Sequence, residues 1–115
     1  MQNKIADLRR DYQLKTLDVN EVSPDPFVQF KNWFDGALQF ASETEGFEAN
    51  AMTLCTATPD GKPSARIVLL KGFDEKGFIF YTNYESRKGQ QIETNPHVAL
   101  VFHWHGLERQ IRIWI

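Results

Sequence analysis

Ser64-Ala-Arg-Ile-Val-Leu-Leu-Lys71, then Phe78-Ile-Phe-Tyr-Thr-Asn83, then Ser86-Arg-Lys88: this stretch decides the fold. An apolar run flanked by Arg66 and Lys71 predicts a buried strand with a cation near each end. The aromatic and β-branched run that follows the turn Asp74-Glu-Lys-Gly77 predicts its hairpin partner. Ser86 is a good N-cap, so a short helix is expected from there towards Pro96. Arg87 and Lys88 then fall in its first turn, where the positive end of the helix dipole disfavours each cation by about 0.3–1 kcal/mol. The placement becomes favourable beside an anion held by free backbone N–H groups and the two side chains. A phosphate fits best.

Outward from that stretch, the pattern stays that of strands. Ala51 to Ala57 predicts one before it, joined through Thr58-Pro-Asp-Gly61, which has the chemistry of a type I turn. Beyond Asn95-Pro96, a strand is expected from His97 to Trp104, a turn at His105-Gly106, and a last strand from Leu107 to Ile115. That last strand alternates: Ile111, Ile113 and Ile115 share one face, while Gln110, Arg112 and Trp114 share the other. Upstream, Asp25-Pro26 is a strong helix start. Phe27, Phe30, Phe34, Leu38 and Ala41 trace an apolar stripe widened by Trp33 and Ala37, a face for packing on a sheet. The helix is expected to end near Ser42, before the polar turn Glu43-Thr-Glu-Gly46. Ile5, Leu8 and Tyr12 have helical spacing in residues 3–13, and residues 14–24 read as a connecting loop. Five short-spaced strands joined by tight turns, with one inserted helix, predict an antiparallel barrel or roll.

The 115 residues suit one domain: an arm over 1–24, a helix over 25–42 and barrel strands over 51–115. Apolar content of 42% and charged content of 24% are those of an ordinary soluble domain. A net charge of −2 without a long cationic run argues against a general binder of nucleic acid or anionic membrane. Cys55 is the sole cysteine, so no internal disulfide forms, and it reads as a packed thiol. No run of about 18 apolar residues exists and the N-terminus has no apolar signal core, so a cytoplasmic protein is expected. The chain stops inside an apolar strand, which reads as a truncation.

Arg66 and Lys71 are an odd number of residues apart, so a regular strand points them to opposite faces. Tyr81-Thr82 adds a hydroxyl pair just before the expected anion site. His103-x-His105 can put two imidazoles on one strand face, but no third ligand has suitable spacing, so no metal is expected. Gly-x-Gly-x-x-Gly, the phosphate loop and Gly-x-Ser-x-Gly are all missing.

Taken together, Arg66-Ile-Val-Leu-Leu-Lys71, Phe80-Tyr-Thr-Asn83, Ser86-Arg-Lys88, Asn95-Pro96 and Trp104-His-x-Leu-Glu-Arg-Gln110 closely resemble the pyridoxamine 5′-phosphate oxidase family. Leu8-Arg-Arg-Asp-Tyr12 and the Asp25-Pro26 helix start fit the same family's N-terminal region. The resemblance implies a mainly β, Greek-key-like split β-barrel with flanking N-terminal helices, forming a homodimer with FMN between the subunits. It implies FMN contacts at Arg66, Ile67, Val68, Lys71, Tyr81, Thr82, Arg87, Lys88 and Gln110. It places pyridoxamine or pyridoxine 5′-phosphate near Lys71 and near an arm carrying Arg9, Arg10, Asp11 and Tyr12. The implied reaction is oxidation of that substrate to pyridoxal 5′-phosphate, with dioxygen as acceptor and hydrogen peroxide released. The flavin does the redox work, so no side-chain nucleophile or metal is required.

The family continues well past this length, and its further substrate-phosphate and FMN ligands have no matching position here. Trp114-Ile115 also stands where a short polar or glycine-containing continuation is expected. Two other readings follow: a flavin- or phosphate-binding module without oxidase activity, and a catalytically dead dimerisation domain.

Overall fold

A computed structural model of the chain describes residues 5–7, 17–81 and 96–115. Among the described residues the one long helix, α1, runs Pro26–Glu43. Its start is set as the sequence predicts: the Asp25 carboxylate accepts from the Phe27 N–H at 2.9 Å, with Pro26 at the first helical position. The strands are β1 Ala51–Ala57, β2 Pro63–Leu69, β3 Gly72–Asp74, β4 Gly77–Ile79, β5 Ala99–Trp104 and β6 Arg109–Trp114. Every pairing is antiparallel, in one four-stranded sheet of order β2-β1-β5-β6 and a separate β3-β4 hairpin.

That arrangement corrects one expectation. The hairpin across Asp74-Glu-Lys-Gly77 forms, but its arms are β3 and β4. The run 64–71 pairs instead with β1, and the chain changes sheet between Leu69 and Gly72. Lys71 is the joint: its N–H bonds the Ile79 carbonyl at 2.7 Å. The expected strand over 78–83 ends at Ile79 and does not continue through Phe80 and Tyr81, while Thr82, Asn83 and the short helix after Ser86 lie outside the described residues. So does most of the N-terminal helix, of which the described part is a 3-10 turn, Ile5–Asp7. A second 3-10 turn, Val19–Glu21, sits within the expected loop.

Strand alternation separates two sheet faces. Met52, Leu54, Leu100, Phe102 and Trp104 point inward and are buried. Helix α1 covers this inner face, with Phe30 at the centre: its ring lies 4.8 Å from Phe73, 5.1 Å from Phe78 and 5.2 Å from Phe102. The edge-to-face geometry at Phe73 and Phe78 is the favoured one for aromatic pairs. Trp104 buries its indole and still satisfies the N–H, which donates to the Ala49 carbonyl at 3.0 Å.

Gly61 and Gly106 are each required by geometry. Gly61 closes the β1–β2 turn at φ +91°, donating to the Thr58 carbonyl at 2.9 Å. Gly106, in the 3-10 turn His105–Leu107 before β6, lies so close to the Phe40 ring that any Cβ would collide with it. Leu38 departs from its expected place in the packed stripe and is about half exposed.

Candidate functional site

β2 is one edge strand of the four-stranded sheet, so both of its faces can be approached from the side. Its register with β1 fixes which residue faces where. Val68 opposes Met52 and Arg66 opposes Leu54, which puts both on the inner face; Ile67 opposes Thr53 on the outer face. Ile67 is 67% exposed, a large β-branched side chain left standing in solvent. Continuing the alternation, Leu70 is buried and Lys71 exposed. β2 ends at Leu69, so the opposite facing expected of Arg66 and Lys71 in a regular strand does not extend to Lys71.

Arg66 is held in place. Its Nη1 donates to the Thr56 hydroxyl at 3.0 Å, and Thr56 is itself buried. A buried hydroxyl left unpaired costs about 1–3 kcal/mol, so this contact fixes the guanidinium as well as satisfying the threonine. Sequence reasoning did not single out Thr56, although it sits on the same face of β1 as Leu54, diagonal to Arg66 across the ladder. Lys71 lies beside a cavity of about 520 Å³ lined by Phe34, Leu38, Asn50, Leu70, Gly72 and Phe73. The exposed Leu38 is one wall of that cavity. Asn50 pins the joint behind Lys71 with two bonds to Leu70: its side-chain amide donates to the Leu70 carbonyl at 3.2 Å, and its backbone carbonyl accepts from the Leu70 N–H at 2.8 Å.

Tyr81 is described and 75% exposed. Gln110 stands on the outer face of β6, opposite His103. Three strand spacings of roughly 4.8 Å separate β2 from β6, so Gln110 is about 14 Å across the sheet from the Ile67 row. One chain thus brings Arg66, Ile67, Val68 and Lys71 together and leaves Gln110 at the far edge. Thr82, Arg87, Lys88 and the arm residues Arg9, Arg10, Asp11 and Tyr12 lie outside the described residues.

Next to Gln110, Arg109 packs its guanidinium over the Trp33 ring at 4.6 Å. Burial there pulls its pKa below the usual arginine value. This contact ties α1 to the start of β6. His103 and His105 have ring centroids 5.7 Å apart, and no group of three or more metal-ligating side chains occurs among the described residues. No described helix is long and apolar enough to cross a membrane.

A family model described as pyridoxamine 5′-phosphate oxidase matches residues 39–114. A pyridoxine/pyridoxamine 5′-phosphate oxidase of Nostoc sp. is 60% identical over 113 residues, covering 98% of this chain and 51% of its own. That of Nostoc punctiforme is 61% identical with the same coverage. The chain thus spans about half the length of the curated relatives it matches. Among solved structures, PhzG from Burkholderia lata, in complex with tetrahydrophenazine-1-carboxylic acid, superposes with a TM-score of 0.74 at 29% identity. The match covers 86% of this chain and 48% of PhzG. A pyridoxamine 5′-phosphate oxidase-related, FMN-binding protein from Nostoc punctiforme shares the fold at a TM-score of 0.64 and 24% identity, covering 81% of this chain and 46% of its own.

Proposed function

The chain belongs to the pyridoxamine 5′-phosphate oxidase family, and from that premise we propose that it supplies half of an FMN site for vitamin B6 phosphate oxidation. The reaction is oxidation of pyridoxamine or pyridoxine 5′-phosphate to pyridoxal 5′-phosphate, with dioxygen reduced to hydrogen peroxide. Its fold is that of the FMN-binding split-barrel proteins, and FMN is the cofactor that the family and its structural relative support. The observation that carries the reading is the β2 edge. Arg66 and Ile67 of β2, with Lys71 just past the strand's end, offer a fixed guanidinium, an exposed apolar side chain and an ammonium.

The residues present fit a flavin phosphate. Arg66 approaches from the inner side with its guanidinium oriented by Thr56, suited to charge-assisted bonds to an anion. Ile67 offers an apolar surface to a flat ring, and Lys71 a mobile cation at the strand's end, beside an open cavity. Tyr81 with Thr82, and Arg87 with Lys88, extend the set along the chain. When bound, FMN supplies the hydride-accepting and oxygen-reducing chemistry; the side chains orient it and the substrate. In this reading Lys71 also contacts the substrate, and Arg9, Arg10, Asp11 and Tyr12 are further substrate residues by family resemblance.

Gln110 stands at the opposite edge of the sheet from β2 of its own chain. It serves the site of a second copy, so the active unit is a homodimer with FMN between subunits. The exposed outer-face side chains Ile67 and Trp114 give that dimer an apolar surface. The lone cysteine and absent disulfides favour the cytoplasm.

The chain's half-length match favours a second reading, an FMN-binding module without turnover. Steady-state peroxide release from the chain, saturated with FMN and pyridoxine 5′-phosphate, separates the two. Flavin-dependent peroxide release that requires the substrate supports the oxidase. Yellow, FMN-loaded protein with no substrate-dependent peroxide assigns the chain to the module.

A further inference from the structure

The turn from β5 into β6 is held from outside the sheet, at two points on one face of α1. The ring of Phe40 lies so close against Gly106 that no side chain fits between them. About two helical turns earlier on the same face, Trp33 carries the Arg109 guanidinium over its ring at 4.6 Å. Between the two contacts Glu108 stands at φ +52°, in the left-handed region, with its N–H donating to the His105 carbonyl at 3.0 Å. A non-glycine residue keeps that conformation only where its surroundings impose it.

Arg109 is a costly choice for that place. Burial disfavours its charge, and among the described residues the Trp33 ring is its guanidinium's only partner. A cation desolvated against an aromatic face gains a directional contact, whereas an apolar side chain would pack there without fixing an angle. Strand alternation turns the next residue, Gln110, to the other face of β6, exposed and opposite His103. Whatever fixes Arg109 therefore fixes the backbone from which Gln110 projects. We propose that Trp33 is a positioning residue of the flavin site: by holding Arg109 it sets where Gln110 projects, without touching the ligand. The inference rests on the reading of Gln110 as an FMN contact supplied to a second copy. A site completed by one exposed side chain gains from having its backbone ordered beforehand, because ordering it on binding would cost affinity.

The test uses the 115-residue chain and two readouts. The first is backbone NMR relaxation without flavin, read at Arg109 and Gln110. Order there should match the rest of β6 in the unaltered chain and fall in Trp33→Leu. It should be largely kept in Trp33→Phe, which leaves a ring under the guanidinium. Order at Ile67 in β2 should not change. The second readout is FMN affinity, by flavin fluorescence. Trp33→Leu should weaken binding about tenfold, alone or combined with Lys71→Ala, and add nothing to Gln110→Ala. Unchanged order at Gln110 in Trp33→Leu overturns the proposal. So does a Trp33→Leu loss that adds fully to that of Gln110→Ala, which would leave the shared site standing. Gln110→Ala that leaves FMN binding unchanged, or a chain that binds no FMN, removes the shared site and this proposal together. Should Trp33→Leu fail to fold, Arg109→Met, which keeps the stem and removes the charge, takes its place in both readouts.

Discussion

The two edges of one four-stranded sheet differ in what they offer a partner. At β2 the side chains are the feature: Arg66 oriented by buried Thr56, exposed Ile67, and Lys71 at the joint to the hairpin. At β6 the packing is the feature: Arg109 held over Trp33 of α1, with Gln110 beside it on the other face of the strand. Both are edge strands, so sheet order does not distinguish them. Composition does. A cation-rich edge suits a small anionic ligand, whereas an edge pinned from α1 can present one polar side chain in a fixed place.

The comparison can be broken most severely from the core both edges share. Phe30→Ala empties the centre of the aromatic cluster that joins α1 to β5 and to the β3-β4 hairpin. The expected cost is about 3–5 kcal/mol, read by chemical denaturation, with both edges lost together. Gly106→Ala is the next largest, because the added methyl meets the Phe40 ring in the turn that feeds β6. A loss of about 1–3 kcal/mol is expected, with amide protection falling in β6 before β2. Thr56→Val sharpens the contrast from the other side. It removes the hydroxyl that orients Arg66 at little change in volume, for a cost of about 1 kcal/mol in denaturant and a weaker hold on FMN. Amide exchange along β6 should stay the same.

Much of this was legible in residue order. Strand β1 has the limits its alternation predicts, and Asp25-Pro26 marks the start of α1. What did not follow was the change of sheet between Leu69 and Gly72. Residues 67–70 are apolar throughout, and such a run carries no period to show where pairing with β1 ends and the hairpin begins. The Arg109–Trp33 contact was hidden for another reason: it depends on how α1 crosses the sheet, which neither segment encodes alone. Leu38 fits the helical stripe but lies where α1 borders the Lys71 cavity, past the sheet's cover. The implied role of Gln110 came from resemblance; only the strand order shows that it stands at the other edge.

The central claim is that a flavin at the β2 edge is completed by Gln110 of a second copy. Lys71→Ala and Gln110→Ala are each expected to weaken FMN binding about tenfold or more, as loss of a charged or polar ligand contact would. Neither should shift the unfolding midpoint, since both side chains are exposed. Equal amounts of the two variants are then mixed, allowed to exchange subunits, and titrated with FMN by flavin fluorescence. A mixed dimer has one site with both substitutions and one with neither, so a fraction of tight sites should return on mixing. Failure of any tight site to return, when the unaltered chain binds FMN tightly and subunits exchange, would contradict the shared site.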